Sequence, residues 1–512
     1  MAKKNQLAGG AILSYMQMGL NIIIGLIYTP IMIRTLGQNE YGLYNTIAST
    51  ISMLSILSLG FNSGYIKYYA QYKKNDNQEA ISKLNGLFLI VFSIIGLFGL
   101  MCGFYLTTHL NLVFSDGLTD QEYEKARILM MLLTINLGIS FPMTVFSCII
   151  SSHERFIILK MVLMIKTIVS PLITLPLLLM GYKSVAMVVV SLTLSCIADA
   201  IYIYYVLFVL KERFVFRDFE KGLLLSLFNY TFFIALNIIV DQINWNIDKL
   251  LLARYKGTAM VAVYSVGAAL YGYYQSFSTS VSGVFTPRIH TIIVNAKNDN
   301  QLKRDLTDLF TRVGRIQFII LALLMTGVIF FGKSFILLWA GEGYDDSYYV
   351  ALLLMLPATV TLCQNTGIEI QRAQNKHKFR SILYSLTAIL NLLFSIFLCQ
   401  KYGAIGAAFG TFASYWISSI SLMNIYYHKK CNLDIIYFWK QIFRMIKGVI
   451  PPVIFGIIYV HYVNTDRLLL FILGLILFTA IYVCSMWTFG MNEYERGLFR
   501  KPIRRLFKKN ES

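Results

Sequence analysis

Apolar stretches of about 20 residues follow one another along almost the whole chain, from Leu7 to Phe489, with only short polar interruptions. A bilayer core is about 30 Å thick, and about 20 residues rising about 1.5 Å each cross it as a helix. The pattern predicts about fourteen such spans, near 8–33, 41–66, 84–107, 126–152, 157–180, 185–210, 224–252, 259–285, 312–340, 348–373, 379–400, 405–427, 448–464 and 467–489. Inside a bilayer every backbone donor and acceptor must be satisfied within the protein, and these runs are too long and too continuously apolar for barrel strands. The predicted fold class is an all-α polytopic membrane protein of about 14 transmembrane helices. No room remains between the spans for a soluble domain, which excludes most enzyme chemistry.

Apolar residues make up 57% of the chain and charged residues 14%, and the formal charge is +19. In a soluble protein that charge would point to nucleic acid. Here its distribution reads differently. With the start of the chain inside and alternate loops on alternate faces, 34 of the 45 Lys and Arg residues fall on inner segments and 10 on outer ones, with Lys166 inside a span. Cytoplasmic loops carry such an excess, and the alternation closes with an even number of spans and both termini cytoplasmic. Lys3 and Lys4 flank the first apolar run as in a signal peptide, but the run is too long and lacks a small-residue cleavage site, so it reads as an uncleaved helix. Six of the seven cysteines lie in predicted spans and the seventh, Cys431, in an inner loop. None has metal-ligand spacing, so no metal or cofactor is expected.

A weak duplication organises the chain at an offset of 220. Arg34-Thr-Leu-Gly37, with Tyr44 beyond, matches Arg254-Tyr-Lys-Gly257, with Tyr264 beyond, and a basic residue (Lys67 or Arg288) closes each second helix. The helices before these motifs also correspond. Asn237, Asp241, Asn244 and Asp248 recur on one face of the seventh span, and their counterparts on the first include Gln17 and Asn21. Six spans per half is an even number, so the halves run in the same sense, as in parallel repeats that rock about a central site. The expected organisation is a six-helix bundle over 1–215, a second over 216–430, two further helices over 431–490 and a basic cytoplasmic tail over 491–512.

The two polar faces are expected to line a water-filled cavity, because a carboxylate at mid-span is costly unless it meets water or a partner. Packing through hydrogen bonds is the competing reading, and Lys249 and Arg254 are alternative neutralisers of Asp248. Lys166 and Asp199 lie at similar depth on a hairpin turning at Gly181–Ser184, which suggests either a static ion pair or a coupling site. Glu369 and Arg372 form an i, i+3 pair near an inner helix end, where snorkelling also accounts for them. Tyr271, Tyr274 and Gln275 share a face at mid-span, away from the interface that tyrosine prefers, and suggest a sugar-binding surface or ordinary packing. Gly327–Ser334 matches the Walker phosphate-binding pattern, but it is embedded in an apolar span and lacks the flexible loop that the chemistry needs, so no nucleotide is expected.

Thr29-Pro-Ile-Met-Ile-Arg34-Thr-Leu-Gly37-Gln-Asn-Glu-Tyr-Gly42-Leu-Tyr44 is similar to the first-hairpin signature of O-antigen and capsule repeat-unit flippases. Asn246-Ile-Asp248-Lys249, running on to Gly257 and Tyr264, is similar to the matching segment of their second half, although Val261-Ala262-Val263 departs from the usual approach to the tyrosine. The chain thus resembles the polysaccharide-transporter branch of the multidrug/oligosaccharidyl-lipid/polysaccharide (MOP) exporter superfamily. The resemblance implies a plasma-membrane protein, not an enzyme, that flips undecaprenyl-pyrophosphate-linked oligosaccharide repeat units from the inner to the outer leaflet. Membrane lipids and a proton or sodium ion are its other implied partners, with no nucleic acid. Arg34 and Arg254 become candidate phosphate contacts on the outer side, and Lys67 and Arg288 on the inner side. A cation-coupled multidrug exporter and a peptidoglycan-precursor flippase are the alternatives; a membrane glycosyltransferase would need a larger outer loop than this chain has.

The charge bias yields a topological prediction. Single cysteines at Gln38 and Asp116 in an otherwise cysteine-free protein should react with an impermeant thiol reagent in intact cells, and cysteines at Asn77 and Asn298 should not. The reverse pattern would invert every leaflet assignment.

Overall fold

The computed structural model describes residues 2–114, 118–219, 222–374, 376–498 and 500, so Asp116 and the basic tail from residue 501 lie outside the described residues. Among the described residues the chain is helical with no strand. The helices are α1 (Ala2–Leu36), α2 (Gln38–Met53), α3 (Phe61–Lys74), α4 (Gln78–Thr108), α5 (Asp120–Ser152), α6 (Phe156–Leu179), α7 (Lys183–Tyr204) and α8 (Leu223–Lys256). They continue as α9 (Thr258–Asn295), α10 (Asp299–Ala340), α11 (Asp346–Cys363), α12 (Thr366–Ala373), α13 (His377–Tyr415), α14 (Met423–Lys430), α15 (Ile435–Tyr462) and α16 (Leu468–Ser485). The all-helical membrane fold read from the sequence is the fold observed.

Among the described residues, 11 helices are long and apolar enough to cross a membrane, or 12 if α8, bent by 45° near Phe232, is one span. α9, rich in Ser and Tyr, is not among them. The segment from α13 to α14 counts once in that tally, yet α13 doubles back at Gly403, whose φ of 56° and ψ of −133° are not helical. In a straight helix residues 391 and 411 would stand about 30 Å apart. Instead Thr411 Oγ1 donates to Asn391 Oδ1 at 3.1 Å, and a Cβ on Gly406 would meet Leu398 O at 2.1 Å. α13 is therefore a helical hairpin, and the expected total of fourteen spans stays a proposal. Gly327–Ser334 lies wholly within α10, where the backbone is helical and forms no phosphate-cradling loop.

Packing divides the chain into two compact units: Met1–Ser265 with Ser395–Ala407, and Val266–Phe394 with Ala408–Ser512. This is a division by contact, whereas the boundaries at 215 and 430 rest on the internal duplication and remain a proposal. In the first unit α4 packs on α5, α1 on α6, and α5 and α6 on α7, while α2 lies between α5 and α8. Its core is aromatic, with Tyr65, Phe88 and Phe92 nearly or fully buried. In the second unit α10 packs against α11, α15 and α16.

Two polar clamps tie the first unit together. Glu40, buried at the start of α2, accepts from Ser184 N (3.0 Å), Ser184 Oγ (2.7 Å) and Lys125 Nζ (2.8 Å), with Lys183 Nζ at 3.7 Å, and so joins α2 to α5 and α7. Two residues on, Gly42 touches the next layer: a Cβ there would sit 1.8 Å from Thr258 O, a close approach only glycine allows. At the opposite end of α4, Glu212 lies 3.0 Å from His153 Nε2 and accepts from Asn85 Nδ2 at 3.0 Å. Asn85 in turn accepts from Tyr65 Oη at 2.6 Å. In the second unit Arg315 donates through Nε and Nη2 to the Glu495 carboxylate, with both side chains almost fully buried, and through Nη1 and Nη2 to the carbonyls of Gln441 and Gly490.

The Glu40 clamp is tested by Glu40→Ala, which strands the buried Ser184 amide and hydroxyl. The expected loss is about 1–3 kcal/mol, seen as a lower melting temperature in detergent. An unchanged melting temperature would remove Glu40 from the framework.

Candidate functional site

The duplicated motif has matching backbone geometry at its turn. Gly37, between α1 and α2, has φ 79° and ψ 168°, and Gly257, between α8 and α9, has φ 85° and ψ 175°. The positive φ is a region that L side chains avoid, which is why glycine stands at both turns. The two tyrosines sit in related places. Tyr264 Oη donates to Asp248 Oδ2 at 2.7 Å, and Tyr44 lies within electrostatic range of Tyr28, the residue 220 before Asp248. Tyr28 is also hydrogen-bonded to Thr174 of α6.

The polar stripe of α8 changes character along its length. Asp241 is exposed and Asn237 half-buried, both with polar or electrostatic interactions. Asn244 is buried, and neither of its amide atoms has a hydrogen-bond partner among the described residues. Asp248 is only 1% exposed and is held by Tyr264 instead of facing water. Asn246, off the predicted face, is buried as well and donates to Gln242 Oε1 at 2.7 Å. The stripe therefore passes from an accessible middle to a sealed end where α8 meets α9. On α1, Gln17 is half-buried and Asn21 exposed.

Several expected charge contacts are arranged differently. Arg254 does not neutralise Asp248 through a direct contact; its Nη1 donates to Leu112 O at 3.1 Å, capping the short 3-10 turn Leu110–Leu112. Lys249 is the nearer cation in electrostatic terms. Lys166 Nζ donates to Ser195 Oγ at 2.7 Å, and among the described residues no Lys166–Asp199 ion pair lies within 4.0 Å. The hairpin argument fixed depth only to about one helical turn, and Ser195 stands one turn from Asp199 on the same face of α7. Asp199 still acts on Lys166 through space. Lys67 sits 3.8 Å from the centre of the Tyr230 ring, a cation–π contact between α3 and α8. Glu369 and Arg372 do pair, Nη1 to Oε1 at 2.7 Å, on a solvent-accessible surface. Arg34 and Arg288 are exposed.

The second unit holds a polar cleft of about 120 Å³. Tyr271 and Gln275 of α9 form one wall, Asn365 another, and Arg380 and Tyr384 of α13 a third. Tyr415 closes it and is hydrogen-bonded to Tyr271. From Trp416 to Leu422 the helix widens to a π-turn, which carries Ser419 into the lining; such turns recur at functional sites. Tyr274, expected on the same surface, instead lies in the core at 2% exposure, bonded to Thr359 Oγ1 at 2.7 Å. A helical face spans about 100°, and Tyr274 lies on the side of α9 that packs against α10 and α11. In the sequence Arg380 is one basic residue among 45, and no signal joins it to Tyr415.

The chain's relatives agree with this architecture. A family model described as "Polysaccharide biosynthesis protein" matches residues 7–293. The chain is similar to the "Putative O-antigen transporter" of Shigella flexneri, with 21% identity over 391 residues, or 73% of this chain and 87% of that protein. Among solved structures it is similar to the lipid II flippase MurJ in an inward closed conformation, with TM-score 0.68, 16% identity and coverage of 96% of this chain and 99% of that one. It is also similar to an inward-facing multidrug resistance MATE family transporter of the MOP superfamily, with TM-score 0.61, 15% identity and coverage of 80% and 96%. At these identities the solved structures speak for the fold alone.

The buried Tyr264–Asp248 bond is open to a double-mutant cycle. Tyr264→Phe and Asp248→Ala should each lower the melting temperature, and the double variant should be little worse than either, because the two changes remove one shared bond. Strictly additive losses would show that the bond does not form.

Proposed function

The chain belongs to the polysaccharide biosynthesis protein family, within the MOP superfamily, and we propose that it flips undecaprenyl-pyrophosphate-linked oligosaccharide repeat units from the inner to the outer leaflet. The observation that carries this reading is the family match over residues 7–293, which takes in both copies of the duplicated hairpin. It is a multi-pass membrane transporter, and we place it in the plasma membrane with both termini cytoplasmic on the strength of the charge bias.

In this reading the two halves rock in alternating access. The lipid tail stays in the bilayer, and only the diphosphate and sugars need a polar route. Asp241, accessible at the middle of α8, is the residue best placed to meet that route and to respond to a proton or sodium gradient. Asp248, sealed by Tyr264, is better suited to hold the α8–α9 hairpin in one state than to meet substrate. Arg254 and Lys67, already engaged with a carbonyl turn and a tyrosine ring, would reach phosphate only after leaving those partners.

Depletion of the protein should cause a lipid-linked oligosaccharide to accumulate on the inner leaflet, identified by mass spectrometry of extracted lipids. Accumulation of the peptidoglycan precursor, or loss of cationic-dye efflux with no lipid intermediate, would replace this reading with one of its alternatives. Asp241→Asn should insert at wild-type abundance but lose export. Export at the wild-type rate would make Asp241 a spectator and pass the coupling role to Asp199 or Glu369.

A further inference from the structure

The cleft of the second unit contains a cation without an acid. Arg380 is half-buried, and its guanidinium lies 5.8 Å from the centre of the Tyr384 ring. No Asp or Glu lines the cleft, and among the described residues no carboxylate comes within 4.0 Å of Arg380. The Glu369–Arg372 pair nearby is closed on itself and leaves Arg380 uncompensated. A guanidinium drawn into a polar recess without a counter-charge is a receptor for an anion, because its five donors match carboxylate and phosphate oxygens.

The other walls suit a sugar. Tyr271, Tyr384 and Tyr415 offer aromatic faces, and Gln275 and Asn365 offer amides. Asn365 Nδ2 already donates to Ser282 Oγ at 2.8 Å, which orients the side chain and leaves its carbonyl oxygen as an acceptor for a sugar hydroxyl. The volume of about 120 Å³ is well below that of drug-sized sites, about 300–1,000 Å³. The cleft has room for one sugar-sized group and not for an oligosaccharide.

The geometry points to a binding site for a single sugar ring bearing an anionic group, with the anion on Arg380, a ring face against tyrosine and hydroxyls on Gln275 and Asn365. This rests on the flippase reading for its substrate class and adds to it a location and a charge requirement. Two sources supply the chemistry: the phosphate that joins the first sugar to the lipid, or an acidic substituent on a sugar of the repeat unit. A cationic drug, by contrast, would find no carboxylate in the cleft.

The test is binding to the purified full chain in lipid nanodiscs, read by saturation-transfer NMR with glucose, glucose 1-phosphate and glucuronate, and by thermal shift with undecaprenyl diphosphate. At least one anionic sugar should bind about tenfold more tightly than glucose, as a charge-assisted hydrogen bond contributes. Preference for glucose 1-phosphate assigns the anion to the lipid junction, and preference for glucuronate to an acidic substituent. Arg380→Gln should abolish the preference while leaving weak glucose binding, and Arg380→Lys should keep part of it if the glutamine variant fails to insert. Tyr271→Ala should weaken all three sugars.

Equal binding of glucose and both anionic sugars by the wild-type protein would overturn the proposal. So would a preference that survives Arg380→Gln, or a response to undecaprenyl diphosphate alone. The flippase reading fails separately, through the lipid that accumulates on depletion: an anionic-sugar site can stand without that reading, and the reading can stand without the site.

Discussion

A bilayer core offers no hydrogen-bond partners, and the structure is organised by that absence. Helices satisfy the backbone, but an acidic side chain carried into the apolar region is costly unless it finds a partner within the protein. Here the buried acids find theirs far away in sequence. Glu40 reaches Lys125 and Ser184, Glu212 reaches His153 and Asn85, and Glu495 reaches Arg315. Each bond ties a helix end to elements that are separate in sequence, so the polar residues position apolar helices that would otherwise have little reason to prefer one register over another. Breaking such a pair leaves a buried charge uncompensated, which costs more than the pair contributes when intact.

The same economy accounts for the duplicated hairpin. The signature around Gly37 and Tyr44 is rich in polar and charged residues. What the structure shows of it is packing geometry. Gly37 and Gly257 turn the chain at matching positive φ, Gly42 lets α2 lie against Thr258, Glu40 pins the start of α2, and Tyr264 seals Asp248. Residues placed this way constrain how the two hairpins pack.

We propose that substrate contacts lie at the accessible middle of α8 and in the cleft beside α9. The first offers an acidic residue in an accessible position; the second offers a guanidinium among tyrosines and amides. The two differ in charge, so they suit different tasks: an acid for a cation or proton, a base for an anionic sugar. The π-turn at Trp416–Leu422 brings Ser419 into the cleft at the cost of regular helical hydrogen bonding, a local irregularity of a kind that functional sites commonly keep.

The sequence by itself determined the fold class, because apolar length and charge bias are properties of single segments and answer directly to the thickness and the electrical asymmetry of a membrane. One-helix periodicity also placed Tyr271 and Gln275 on one face without knowledge of neighbours, but it put Tyr274 there too, which lies in the core. Tertiary structure alone decided which polar residues are sealed and which are open. Asp241 and Asp248 share a face, yet Asp241 is exposed while Asp248 is sealed and held by a tyrosine from the next helix. Lys166 and Asp199 share a depth, yet Ser195 takes the bond because it lies one turn nearer. Arg380 joined the cleft only when α13 doubled back and brought Tyr415 to Tyr271. Partner choice across helices depends on rotation and register to within a fraction of a turn, and the spacing along one strand of sequence does not contain that angle.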